Sequence, residues 1–131
     1  MLIFLTTGLS SVERRGPQLM VEPQNRVEFL NDTRTVITCS ARGSPEPTIQ
    51  WLKSDGTPLT DREGVVQVVN SGHTSQVVYQ PFAANHYRQD IHWASIRCLA
   101  TNTIGAVESR ECHIRASALQ RDIHSECESI K

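Results

Sequence analysis

No stretch of this 131-residue chain holds the run of about 20 apolar residues that a membrane-crossing helix needs, so an anchor, if the natural molecule has one, lies outside it. Cysteine is scarce. The four present contain no CxxC pair, which excludes a disulfide-dense miniature scaffold and the usual zinc-ligand spacing. Charge of one sign is also missing: the formal net charge is −1 and the basic residues are scattered, so there is no footprint for nucleic acid or another polyanion. No GxSxG nucleophile turn and no glycine-rich phosphate loop occur. The five histidines, His73, His86, His92, His113 and His124, form no i, i+4 pair beside an acid, and they are expected on the surface rather than on a metal. These absences point to no catalytic residue, no cofactor, no metal and no small-molecule substrate. Protein partners are the default.

What is present fits one domain, because a single core typically takes about 100 to 200 residues. Residues 1–15 are set aside. Leu2, Ile3, Phe4 and Leu5 followed by Ser10 and Ser11 resemble part of a secretory signal, but no basic segment leads them, and an arbitrary reading-frame start is the other reading. From 16 to 116 the sequence breaks into short alternating runs between turn residues, with no long 3.6-residue period, which predicts an all-β fold. Alternation places Ile37, Cys39 and Ala41 on one face of a strand, and Gly43 to Pro47 is expected to interrupt pairing. Ile49 and Trp51 share a face of the next strand, which ends at the Asp55-Gly56 turn. Val65 to Val69 predicts a strand ending at Asn70-Ser71-Gly72, and Val77 and Tyr79 continue the pattern. Ile96, Cys98 and Ala100 then share a face before a hairpin at Asn102 to Gly105, and Cys112 and Ile114 point inward from the returning strand. Residues 117–131 carry no β run and read as a C-terminal tail, a short helix or disordered. Strands this short and frequent suggest a sandwich.

The most informative spacing is Cys39, Trp51 and Cys98, all assigned to inward faces. With Ile37-Thr38-Cys39-Ser40-Ala41-Arg42-Gly43, the run from Gly43 through Ser44-Pro45-Glu46-Pro47 to Trp51, and Cys98-Leu99-Ala100-Thr101-Asn102-Thr103-Ile104-Gly105, the chain resembles the I-set of the immunoglobulin superfamily. The resemblance implies an immunoglobulin-like β-sandwich of two antiparallel sheets, a Cys39–Cys98 disulfide, and a core of Trp51, Ile37, Ile49, Ile96 and Ala100. Two separate buried thiols, as in intracellular muscle domains of the same set, remain the alternative. One departure is Ile96, where the family usually carries a tyrosine. The tyrosine-corner hydroxyl is therefore missing, and a less rigid turn is expected before that strand.

Within the I-set, Tyr87-Arg88-Gln89-Asp90-Ile91-His92 is similar to the first immunoglobulin domain of the arthropod Down syndrome cell adhesion molecules. So are Gly16-Pro17, Glu22-Pro23, Ser54-Asp55-Gly56-Thr57, Pro81-Phe82 and Ser109-Arg110 followed by His113 and Arg115-Ala116. This similarity implies an extracellular neuronal or immune receptor module that binds like receptor copies or neighbouring immunoglobulin domains. An intracellular structural domain of the muscle-filament type, or a secreted immune recognition fragment, are the competing functions. Asn31-Asp32-Thr33 is a glycosylation sequon, with Asn31 as the acceptor. Cys112 is expected as an unpaired buried thiol rather than a partner of Cys127, and Trp93 as a cap on the core rather than a partner contact.

Overall fold

The computed structural model describes residues 13–118 of the chain. Among the described residues nine strands form two sheets: β1 (Arg15–Val21), β2 (Arg26–Leu30), β3 (Thr35–Ser44), β4 (Thr48–Lys53), β5 (Val66–Ser71), β6 (Thr74–Tyr79), β7 (Trp93–Thr101), β8 (Ala106–Glu108) and β9 (Cys112–Ser117). One sheet runs β1-β3-β6-β5, and the other runs β2-β9-β7-β4 with β8 paired to β7. A single helical turn, α1 (Gln89–His92), follows a three-residue 3-10 turn ahead of β7. The sandwich is antiparallel except at one edge, where β2 pairs with β9 in parallel. The leader and tail outside residues 13–118, with His124 and Cys127, lie outside the described residues.

The core forms where the inward residues of the two sheets meet. Ile37, Cys39, Val66, Val77 and Tyr79 come from one sheet, and Phe29, Trp51, Ile96, Cys98, Cys112 and Ile114 from the other. Cys39 and Cys98 are bonded across the gap, with 6.6 Å between their Cα atoms. Trp51 is directly opposite Cys98 in the β4–β7 register, which lays the indole beside the bridge. Its Nε1 donates 2.9 Å to the Ser75 hydroxyl, so the one polar atom of this buried ring is satisfied. Ile37, Ile96 and Ala100 are buried, while Ile49 is half-buried and packs against the cluster from the rim.

Two turn expectations shift. Pairing does not stop at Gly43: β3 continues to Ser44, which pairs with Arg15. A Cβ on Gly43 would stand 3.0 Å from the Asn102 amide nitrogen and 3.2 Å from the carbonyls of Arg15 and Gly16, so glycine allows β1 this close approach. Asn102 closes the same pole. Its Nδ2 donates to the Arg15 and Pro45 carbonyls, and its Oδ1 accepts from Ile104 and Gly105. The β5–β6 hairpin also turns later than expected: Asn70 and Ser71 stay in the ladder, and the reversal falls at Gly72, whose φ of +63° suits a residue without Cβ.

The returning strand after the last hairpin is split into β8 and β9. At the break, Ser109 exchanges hydrogen bonds with Cys98, its N–H donating to the Cys98 carbonyl and its Oγ accepting from the Cys98 N–H. Cys112 and Ile114 resume inward positions beyond it.

Candidate interaction face

The turn before β7 is the first place where the structure departs from the sequence reading. His92 is fully buried rather than on the surface, while His73, His86 and His113 are exposed. Its imidazole stacks on Phe82 at 3.8 Å between ring centroids, with Tyr87 at 5.4 Å. This aromatic cluster lies in the turn ahead of β7, the strand that carries Ile96 in place of the family's tyrosine. The Arg88 N–H donates 2.9 Å to His92 Nδ1, which requires the tautomer protonated at Nε2. That Nε2 is buried without a hydrogen-bond partner among the described residues.

Burial lowers the His92 pKa below the ordinary imidazole value of 6.5, because the charged ring would lose its hydration. Above pH 6.5 the folded and unfolded forms are both neutral at this residue. As pH falls below that value the unfolded chain binds a proton that the folded chain resists, so stability declines with acid. We expect the wild-type urea midpoint to fall between pH 6.5 and 5 more steeply than that of His92→Gln. Parallel midpoints for the two proteins would show that His92 carries no such linkage.

No group of three or more histidine, cysteine or acidic residues converges as a metal site among the described residues. Cys112 is a free buried cysteine whose thiol pKa burial pushes up to about 11, which keeps it protonated and inert at neutral pH. Asn31 sits half-buried between β2 and β3, its Nδ2 donating 2.9 Å to the Phe82 carbonyl. No helix among the described residues is long and apolar enough to cross a membrane.

The outer faces of the two sheets differ in chemistry. Alternation along β3, β5 and β6 turns Val36, Thr38, Val69, Gln67, Gln76 and Thr74 outward, with Arg42 of β3 on the same face, its Nε donating 3.1 Å to Gln18 Oε1. The outer face of the other sheet is a mosaic. Along β7 it presents Trp93, Ser95, Arg97 and Leu99; β9 adds His113 and Arg115, and β2 adds Arg26 and Glu28. Arg97 binds Glu108 at 2.9 Å and Glu111 at 3.7 Å, Arg26 binds Glu28 at 3.0 Å, and Ser95 Oγ lies 2.7 Å from His113 Nδ1. Trp93 belongs to this face. It is 49% exposed with the Arg115 guanidinium 4.5 Å from its ring centroid, so it does not cap the core.

The chain matches the immunoglobulin domain family over residues 16–102. It is 42% identical over 106 residues to the cell adhesion molecule Dscam2 of Drosophila melanogaster, covering 81% of this chain and 5% of that relative. Against Dscam1 of the same organism the identity is 41% over 116 residues, 88% of this chain and 6% of the relative. A crystal structure of the N-terminal four immunoglobulin domains of Dscam1 isoform 7.44 superimposes with a TM-score of 0.78 at 41% identity, over 82% of this chain and 27% of that one. The chain thus spans a small fraction of the relatives it matches. A disulfide across facing sheets, a tryptophan beside it, and this agreement in sequence and shape establish the chain as a member of the immunoglobulin domain family, related to the Dscam cell adhesion molecules.

Proposed function

We propose that this domain is an extracellular adhesion module of a Dscam-like receptor that binds like copies of itself, in neuronal wiring or immune recognition. The observation that supports this most is the identity above 40% to two cell adhesion molecules, which runs through four-fifths of the chain. Asn31, in the Asn31-Asp32-Thr33 sequon, is the glycan acceptor in this reading.

One immunoglobulin domain presents limited area, and interfaces below about 1,200 Å² are usually weak or transient, so many copies must act together. Beads densely coated with the secreted chain are expected to cluster, while the free chain sediments as a monomer at micromolar concentration. The secreted chain should also lose mass on enzymatic deglycosylation. Beads that neither cluster nor bind any cell surface, with the chain instead incorporated in a cytoskeletal filament, would favour the structural role over adhesion.

A further inference from the structure

Residues 82–92 lie between β6 and β7 and belong to neither ladder. Their own backbone bonds are short-range: His86 donates to Ala83, Tyr87 to Ala84, and Ile91 and His92 to Arg88. Asn31 fastens them to the sandwich. The Phe82 N–H donates 2.8 Å to the Asn31 carbonyl, and Asn31 Nδ2 donates 2.9 Å back to the Phe82 carbonyl. From the same residue the Asn31 N–H donates 2.9 Å to the carbonyl of Ser117, the last residue of β9. The turn and the end of β9 therefore share one attachment.

His92 holds this segment inward. Its ring is wholly buried and stacked on Phe82, a placement that suits an imidazole in one protonation state only. Nδ1 accepts the Arg88 N–H, and Nε2 keeps its hydrogen with no partner among the described residues. A second proton has to go on Nδ1, where it faces the Arg88 N–H as donor against donor. That bond is then lost, and a charged ring with two buried N–H groups replaces a neutral one. The surroundings do little to hold the charge. Burial opposes it most; a backbone hydrogen bond with Arg88 and the Asp90 carboxylate favour it, and the Arg88 guanidinium opposes it. The Arg88 carbonyl, however, already accepts from the Ile91 and His92 N–H groups. Asp90 is bonded to the Arg88 guanidinium at 3.2 Å, with Arg62 from the β4–β5 connection also acting on it. Phe82 and Tyr87 bring no charge. β7 and β9, against which α1 packs, turn Ile96, Cys112 and Ile114 inward, while His113 and Arg115 are on the outer face with Ser95 and Trp93.

We propose that residues 82–92 form an acid-operated latch: a proton taken from solvent at His92 Nδ1 releases the ring from Phe82, the turn leaves the sandwich, and the Asn31 attachment beside Ser117 loosens. The two sheets stay paired, because the ladders and the Cys39–Cys98 bond lie outside the turn. In the open turn the ring is in water and protonates near its ordinary value of about 6.5. Each pH unit below that favours opening about tenfold, until the closed form protonates as well. Acidity of about pH 5 to 6 operates histidine switches in endosomal compartments, and a surface module taken into one would loosen its hold on the segment after Ser117. The latch operates whether or not the domain binds copies of itself.

Hydrogen exchange on the full chain at pH 7.5 and pH 5, each rate divided by its intrinsic value, tests the latch. The Phe82, His92 and Asn31 amides are expected to lose protection by about tenfold or more at pH 5, while amides of the β3–β6 and β4–β7 ladders keep theirs within about threefold. His92→Gln should abolish the loss. His86→Gln, which removes an exposed histidine of the same turn, should leave it unchanged. If His92→Gln does not fold, the wild-type profile still decides, since one proton gives a loss that begins near about pH 6.5 and steepens to no more than about tenfold per unit. Protection of residues 82–92 that ignores pH, a loss shared equally by the ladders, or a loss that persists in His92→Gln overturns the latch. So does a loss that His86→Gln abolishes, or a wild-type profile steeper than one proton allows.

Discussion

Trp51→Ala lowers the unfolding free energy by about 3 to 5 kcal/mol, the usual cost of deleting a buried tryptophan, whereas Trp93→Ala costs about 1 kcal/mol or less. The contrast follows from position. Trp51 is 1% exposed at the centre of the sandwich, and removing it opens a cavity beside the Cys39–Cys98 bridge while depriving the buried Ser75 hydroxyl of its donor. Trp93 lies at the outer surface with solvent on one side, so its loss forfeits the Arg115 stack and little packing. Against a total stability of about 5 to 15 kcal/mol, the first change approaches global unfolding. Urea midpoints of the two variants decide the matter, and equal shifts would refute the assignment of their faces. Trp51→Phe is expected between them, because the ring volume is partly kept but Ser75 is left unpaired at a cost of about 1 to 3 kcal/mol.

Opening the Cys39–Cys98 bond is the second large effect. The bridge joins residues 59 apart, and the loop-closure entropy it removes from the unfolded chain is worth about 4 kcal/mol. Chain folded in an oxidising compartment is therefore expected to lose most of its stability margin when reductant is added, with a large drop in urea midpoint. Peptide mapping without reduction should recover Cys39 and Cys98 together. Cys112 provides an internal control: buried and protonated, it should resist alkylation in the native fold and react once the chain is unfolded. Recovery of Cys39 and Cys98 as separate alkylated thiols, with a midpoint indifferent to reductant, would contradict both the bridge and the extracellular reading.

The parts of the fold legible in the sequence are those set by period-two alternation. Ile37, Cys39, Ile96, Cys98, Ala100, Cys112 and Ile114 were all assigned inward and all are buried, because a strand with one face in a core has no freedom to slip by one residue. The Asp55-Gly56 turn was readable for a similar local reason, with Gly56 at a positive φ and Asp55 accepting from the Thr57 N–H. Ile49 marks the limit of this reasoning. Its face was correct, but its depth depends on how far the sandwich extends past it, and it ends half-buried at the rim.

What escaped the sequence reading depends on contacts between distant segments. Nothing local marks His92 as buried, since a single helical turn ahead of β7 tips it onto Phe82 and Tyr87. Gly43 looked like a strand breaker, and only the approach of β1 and Asn102 shows why a glycine continues the ladder there. Trp93 looked like core by its size. Its exposure was decided by strand parity, because it stands an odd number of residues before the inward-facing Cys98 and so shares the outer face with Arg97 and Arg115. The sequence by itself carried the inward set, through alternation, and a resemblance to the family, through three motifs in order along the chain, while the bond between Cys39 and Cys98 is seen in the fold. The parallel β2–β9 edge, the buried histidine and the aromatic–cation pair on the outer face were decided only by the tertiary structure, because each brings together residues whose local patterns carry no record of one another.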